Sequence, residues 1–269
     1  MHVAVTGARG YVGSRVAGRL RADGHEVREL VRPEFALERG PADDALAGVD
    51  GLVHCAWDFG ARTRDEIWRV NVAGSKRLLG AAAGAGARIV FVSTLSAFPG
   101  CRSLYGEAKL EVERHALALG GAVVRPGLVW GPQPEGLYGA LVRLASLPVL
   151  PSIVGAKALH LAHEDDLAAL VVHLLENPTA SGAIVAAAPE PLGLGEILQR
   201  VAHAHARRVR LVPVPWRLPW TALRGLELVG LRPRFRSDSL VSLVSLDERP
   251  FAAAAAPPLP FRAFAPEAP

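Results

Sequence analysis

Tyr105 and Lys109 stand four residues apart in the run Tyr-Gly-Glu-Ala-Lys. On a helix that spacing puts both side chains on one face, about 5 to 6 Å apart at Cβ. A phenol with an ordinary pKa of about 10 is a poor acid or base at neutral pH, and an adjacent ammonium stabilises the phenolate and lowers that value. Such a pair can take or return the proton of a substrate hydroxyl. Alone, the spacing also describes two neighbours on a helix surface. A second cluster lies at the N-terminus, where Gly7-Ala-Arg-Gly10-Tyr-Val-Gly13 follows the apolar run His2-Val-Ala-Val-Thr6. Val12, Val16, Ala17 and Leu20 then recur at helical spacing as far as Gly24, and His25 to Val31 reads as a second strand. Glycines between a strand and a helix make an anion site, because bare backbone N–H groups at the helix start can approach a pyrophosphate. Gly7, Gly10 and Gly13 supply the close approach, and Tyr11 and Val12 supply main chain.

In NAD-binding units of this form an acidic side chain at the end of the second strand takes the adenine ribose hydroxyls. Here that strand ends Leu30-Val31-Arg32. A guanidinium at this point pairs with a 2′-phosphate, and Arg9 can approach it from the glycine loop. NADP(H) is therefore favoured over NAD(H), against the plainer reading of two solvated arginines.

The further motifs come in a fixed order: Val49-Asp50-Gly-Leu-Val-His54-Cys-Ala56, Val70-Asn71-Val-Ala-Gly74, the strand Arg88-Ile-Val-Phe-Val-Ser93, Tyr105 to Lys109, Arg125-Pro-Gly-Leu-Val-Trp-Gly131-Pro132 and His163-Glu-Asp-Asp166. Together with Thr6 to Gly13, this order resembles the extended short-chain dehydrogenase/reductase family, including its NAD-dependent epimerase/dehydratase members, over roughly residues 1 to 188. The resemblance implies an NAD(P)-dependent enzyme with Tyr105 as acid/base. It gives Lys109 a second task, holding the nicotinamide ribose. Through Ser93-Thr94-Leu-Ser96 it gives Thr94 the hydrogen bond to the reacting oxygen, with Ser96 the nearest competitor. It also lays Ala56, Asn71, Pro126 and Val129 along the cofactor, beside Gly7, Arg9, Gly10, Tyr11, Val12, Gly13, Arg32 and Lys109.

These residues require an α/β frame, a Rossmann-type doubly wound parallel sheet with a small C-terminal substrate lobe. The expected division is residues 1–132 and 157–188 for the dinucleotide-binding core, and 133–156 and 189–269 for the lobe and tail. Two departures from the family pattern shape the functional reading. Only residues 95 to 104 separate Thr94 from Tyr105, whereas sugar-nucleotide epimerases and dehydratases usually carry a longer substrate loop there. The third-strand region, Phe35 to Asp44, is compressed. The expected reaction is hydride transfer between the nicotinamide and a carbonyl or secondary alcohol of a small, rather apolar substrate. The alternatives are a sugar-nucleotide epimerase or dehydratase that retains its NAD(P), and a non-catalytic dinucleotide-binding protein.

Composition bounds the remainder. At 50% hydrophobic and 21% charged residues, the 269-residue chain can bury a sizeable core. Nineteen cationic side chains face twenty-one acidic ones up to residue 199, and eleven face five beyond it, so the net +4 is a C-terminal excess. No nucleic-acid module accompanies it. Residues 200 to 236 carry nine arginines against Glu227 and read by default as a solvated face. Cys55 and Cys101 make no disulfide framework, and neither His160 with His163 nor His203 with His205 has the spacing of a zinc site, so no metal is expected. His54, on a strand, reads as a satisfied core histidine. Asp165 and Asp166 read as carboxylates capping a helix that runs to Glu176. No apolar run reaches the roughly 18 to 20 residues of a membrane span and no signal peptide is legible. The expectation is a cytoplasmic protein with a small-molecule substrate and no nucleic-acid or membrane partner, the homodimer being left open.

Overall fold

A computed structural model describes residues 1–32, 35–41, 44–177, 179, 181–231, 235–247 and 257–266. In chain order its elements are β1 (His2–Thr6), α1 (Tyr11–Ala22), β2 (Glu26–Leu30), β3 (Gly51–His54), α2 (Arg64–Ile67), a π-helical turn (Trp68–Val72), α3 (Ala73–Gly84), β4 (Arg88–Val92), α4 (Leu104–Ala118), β5 (Ala122–Pro126), β6 (Leu128–Trp130), α5 (Gly136–Leu144), β7 (Val149–Val154), β8 (Leu161–His163), α6 (Glu164–Glu176), β9 (Gly182–Ala186), α7 (Leu194–Ala204), β10 (Arg210–Pro215), α8 (Arg217–Leu228) and α9 (Ser237–Ser245).

Six strands pair in parallel in the order β2-β1-β3-β4-β5-β9. Strand alternation splits the core into two layers. Val3 and Val5 of β1, with Val90 and Val92 of β4, face one layer, filled by Val16 and Leu20 of α1 and Leu167, Leu170 and Val171 of α6. Ala4, Ile89 and Phe91 point the other way, onto Leu78 and Leu79 of α3 and Val112 of α4. Both faces are covered, as a parallel sheet requires. The compressed region after β2 adds no strand to the sheet among the described residues and leaves only an isolated bridge between Ala36 and Gly40.

The glycine turn is forced by packing. Gly7 has φ +67°, and a Cβ on Gly13 would lie 2.1 Å from the Gly7 carbonyl oxygen. Gly13→Ala is therefore expected to lower unfolding free energy by about 1–3 kcal/mol and to weaken dinucleotide binding. Gly18→Ala, in the same helix with open space around it, is expected to gain up to about 1 kcal/mol. Thermal unfolding and an NADPH titration on both variants check the contrast.

A third buried cluster gathers Trp130, Tyr138, Leu141, Leu150, Ile197, Leu198 and Leu243, from both sides of the expected division of the chain. Two short sheets, β10 with β7 and β6 with β8, pair outside the six-stranded one. The tail closes the cluster: Phe264 is buried against Trp130, and Arg262 forks onto Asp166. Asp165 and Asp166 were expected to cap α6, but His163 does so, its Nδ1 accepting from the Asp165 N–H at 3.2 Å. Asp166 is committed to the tail instead.

Candidate active site

Three loops at the C-terminal ends of β1, β3 and β4 meet above the sheet. Thr6, the last residue of β1, accepts from the Ala56 N–H at 3.2 Å and hydrogen-bonds His54 Nδ1 at 2.7 Å, while His54 Nε2 meets Ser75 Oγ at 2.8 Å. Burial, and then the charge of Lys109, push the His54 pKa down to about 3, so its ring stays neutral between two hydroxyls. It is the satisfied core histidine the sequence suggested. Beyond it, Asn71 clamps the next loop. Its Oδ1 accepts from the Asp58 N–H at 2.7 Å and its Nδ2 donates to the Asp58 carbonyl at 3.0 Å. Asn71 lies in the π-helical turn, a distortion that recurs at functional sites.

The helix α4 carries Tyr105 and Lys109 on one face, as their spacing predicts. Its first N–H groups are all answered: Asp238 of α9 accepts from Leu104 at 2.9 Å and Tyr105 at 3.2 Å, and Ser103 Oγ accepts from Gly106 at 3.1 Å. The buried Glu113 fixes the same helix to β5 through a two-pronged ion pair with Arg125. The Tyr105 hydroxyl faces the Thr94 side chain, which acts to lower the phenol's pKa, and Thr94 Oγ1 accepts from the Ser96 N–H at 3.2 Å. Thr94 and not Ser96 is thus the hydroxyl that acts on the phenol.

The electrostatics differ from the expectation. Burial pushes the Tyr105 phenol up to about 12, with the Thr94 side chain acting against it. Burial likewise pulls the Lys109 ammonium down to about 7. Lys109 Nζ donates to the Val92 carbonyl at 2.8 Å and lies over the rings of Trp57 at 4.3 Å and Phe91 at 4.7 Å. It serves the strand end and two aromatic faces, so the phenolate-stabilising charge inferred from spacing alone is not what this arrangement provides. Trp57 also stands edge-on to Tyr105 at 5.7 Å, and Phe59 stacks beside the phenol at 6.1 Å. Neither aromatic was singled out in the sequence; their positions two and four residues after Cys55, past the end of a strand, were the available signal.

Two cavities meet at Trp57 and Asp58. One, of about 610 Å³, is lined by Gly7, Gly10, Arg9, Arg32, Arg39 and Ala56 among others. The N-terminus of α1 opens toward it with Gly10 at the cap, no side-chain cap and no acid in the first turn, the donor set a pyrophosphate needs. Arg32 reaches Asp58 at 3.2 Å but is 77% exposed, so that pair holds it weakly. Tyr11 turns its ring away toward the buried Glu164, and burial and that carboxylate raise its pKa. The second cavity, of about 800 Å³, contains Thr94, Tyr105, Pro126 and Val129 and is walled mainly by apolar side chains such as Phe59, Leu128 and Leu137. Arg62, Arg143 and Arg236 also reach it. Of the residues expected along the cofactor, Tyr11, Val12, Gly13, Asn71 and Lys109 line neither cavity.

A family model for the NAD-dependent epimerase/dehydratase family matches residues 3–187. The chain belongs to that family. Epimerase/dehydratase relatives with curated names include a ceramide reductase of Caulobacter vibrioides, 30% identical over 233 residues covering 79% of this chain and 73% of that one. A 3-beta-hydroxysteroid dehydrogenase of Mycolicibacterium neoaurum is 28% identical, covering 84% and 76%. Among solved structures, a dTDP-4-dehydrorhamnose reductase of Bacillus anthracis in complex with NADP superposes with TM-score 0.69 at 17% identity, covering 90% of this chain and 97% of that one. This epimerase/dehydratase-family protein is thus an NAD(P)-dependent enzyme of the extended short-chain dehydrogenase/reductase type on a Rossmann-like sheet. No helix among the described residues is long and apolar enough to cross a membrane.

Proposed function

We infer that the protein is an NADP(H)-preferring reductase acting reversibly on a ketone or secondary alcohol of a small apolar molecule. The observation that carries this reading is the cavity in which the neighbouring hydroxyls of Thr94 and Tyr105 lie beneath a wall that is apolar over its larger part, with Arg62, Arg143 and Arg236 in its polar part. A carbonyl oxygen seated there accepts from both hydroxyls, and Tyr105 passes its proton to that oxygen as the alkoxide develops. A bound nicotinamide supplies the hydride. Lys109 secures the strand end beneath the site, and in this reading it also meets the nicotinamide ribose. Trp57 and Phe59 keep water from the phenol. The names of the ceramide reductase and the hydroxysteroid dehydrogenase support an apolar substrate.

A second reading, a sugar-nucleotide epimerase or dehydratase that retains its cofactor, is favoured by one feature. Arg236 lines the cavity with its Nε buried and unpartnered, a donor suited to a phosphate. The two readings separate on cofactor turnover. Stoichiometric NADPH oxidation with hydrophobic ketones supports the reductase, whereas UDP- or dTDP-sugar conversion without net oxidation overturns it.

Cofactor preference is tested at Arg32. Arg32→Ala is expected to weaken NADPH binding about tenfold or more, in line with loss of a charge-assisted pair, and to leave NADH binding within about twofold. An unchanged ratio of the two dissociation constants means that Arg32 does not read the 2′-phosphate.

A further inference from the structure

The basic stretch of the lobe is not simply a solvated face. Along α8 and its N-cap the residues turned to the body are the half-buried Trp216, Pro219, Trp220, Leu223 and Glu227, as the helix packs on α9 and β10. Leu218, Ala222, Leu226 and Val229, spaced four, four and three apart, form a stripe on the opposite side. They are outward: Leu218 is 61% exposed and Val229 74%, and Leu228, at 75%, and Leu231 flank them. An amphipathic helix normally turns its apolar stripe to the core. This one presents a stripe of large aliphatic side chains to the outside, past a turn closed by Gly230.

The charges around the stripe specify what meets it. Arg217 and Arg224 lie along one flank of the helix, and Arg207, Arg208 and Arg210 stand exposed at the start of the adjoining β10. The sole acid between residues 200 and 231 is Glu227. It is held on the inner side by the Ser237 N–H at 2.9 Å and Ser237 Oγ at 2.7 Å, with Arg224 reaching it at 3.6 Å. A second copy docked by a two-fold axis would bring these arginines against their own images. A surface that is apolar inside and anionic at its rim matches both features.

We propose that α8 is an interfacial helix that docks the enzyme on anionic phospholipid, its Leu218–Val229 stripe entering the acyl boundary and Arg217 and Arg224 meeting the headgroups. This departs from the expectation of no membrane partner, which rested on the lack of a spanning segment. It does not depend on the reaction the site performs.

The test is co-sedimentation of the full chain with vesicles of phosphatidylcholine alone and of phosphatidylcholine mixed with phosphatidylglycerol. Binding is expected to the mixed vesicles and to weaken as salt is raised. Leu218→Ser with Val229→Ser should lower the partition coefficient by about tenfold or more. Arg217→Gln with Arg224→Gln, which removes both charges without setting a carboxylate against Glu227, should lower it by at least about fivefold for each arginine removed. Both double variants should keep the wild-type NADPH affinity and unfolding temperature, since none of the four side chains is buried. No binding to either vesicle, or binding indifferent to both double variants, overturns the proposal. So does self-association in sedimentation velocity that the serine variant abolishes while vesicles bind nothing, because the stripe then meets a second copy.

Discussion

Tyr105→Phe is expected to lower kcat for ketone reduction by about 10²–10⁴-fold while NADPH affinity stays within about twofold. The basis is local. The phenol hydroxyl lies beside Thr94 in the larger cavity, and the ring packs between Trp57 and Phe59, contacts that phenylalanine keeps. Loss of the hydroxyl therefore removes a proton donor without emptying the site. Steady-state kinetics beside a fluorescence titration separates the two quantities. A non-catalytic dinucleotide-binding protein would show no turnover to lose, and a kcat reduced less than about tenfold would move the proton transfer to another group. The phenol, pushed up to about 12 by burial, stays protonated through neutral pH in the free protein. Reduction, which needs the donor, is accordingly favoured over alcohol oxidation there, and oxidation should gain rate as pH rises.

Lys109→Met carries the second large effect, visible in stability as well as rate. Burial lowers the folded-state pKa of Lys109 from its ordinary 10.5 to about 7, whereas the unfolded chain keeps the ordinary value. Between those two values the unfolded state binds the additional proton, so wild-type stability rises with pH. Below about pH 7 the folded protein bears the full cost of a buried ammonium. The slope is at most about 1.4 kcal/mol per pH unit. Denaturant unfolding of the cofactor-free protein at pH 6, 8 and 9 should show wild type gaining on Lys109→Met by that measure, and a constant difference would show that the ammonium is not penalised by its surroundings. Turnover of the variant is expected to fall by about 10² or more, because the Val92 carbonyl and the faces of Trp57 and Phe91 lose the group that ties them together.

The parts of this protein most legible in its sequence are those that sterics or periodicity force. Gly7 and Gly13 stand where a Cβ would strike the backbone, and the alternation through Val3, Ala4 and Val5 divides two core layers. Tyr105 and Lys109 share a helix face because four residues make about one turn. What spacing could not supply was the environment. Whether Lys109 faces the phenol or the Val92 carbonyl depends on Trp57, which arrives from the loop after β3, and Phe91, which arrives from β4. Asp166 could not be known to hold Arg262, ninety-six residues away, so His163 was not seen as the cap of α6. The α8 stripe was present as a pattern, but the arginine count concealed it. Periodicity says which residues share a face; it does not say which way the face looks.

Asp238 joins α9 to α4. Its carboxylate stands 133 residues beyond Tyr105 in the chain, yet it closes the first turn of the helix that carries that residue. A part of the cavity wall and the helix that carries Tyr105 are therefore aligned by a single side chain. A lineage that reshaped this wall to admit a different molecule could alter Ser239 or Ser242, which line the cavity outside the buried core, but a change at Asp238 would slacken the turn beneath the phenol. Selectivity and aim are inherited together at that residue.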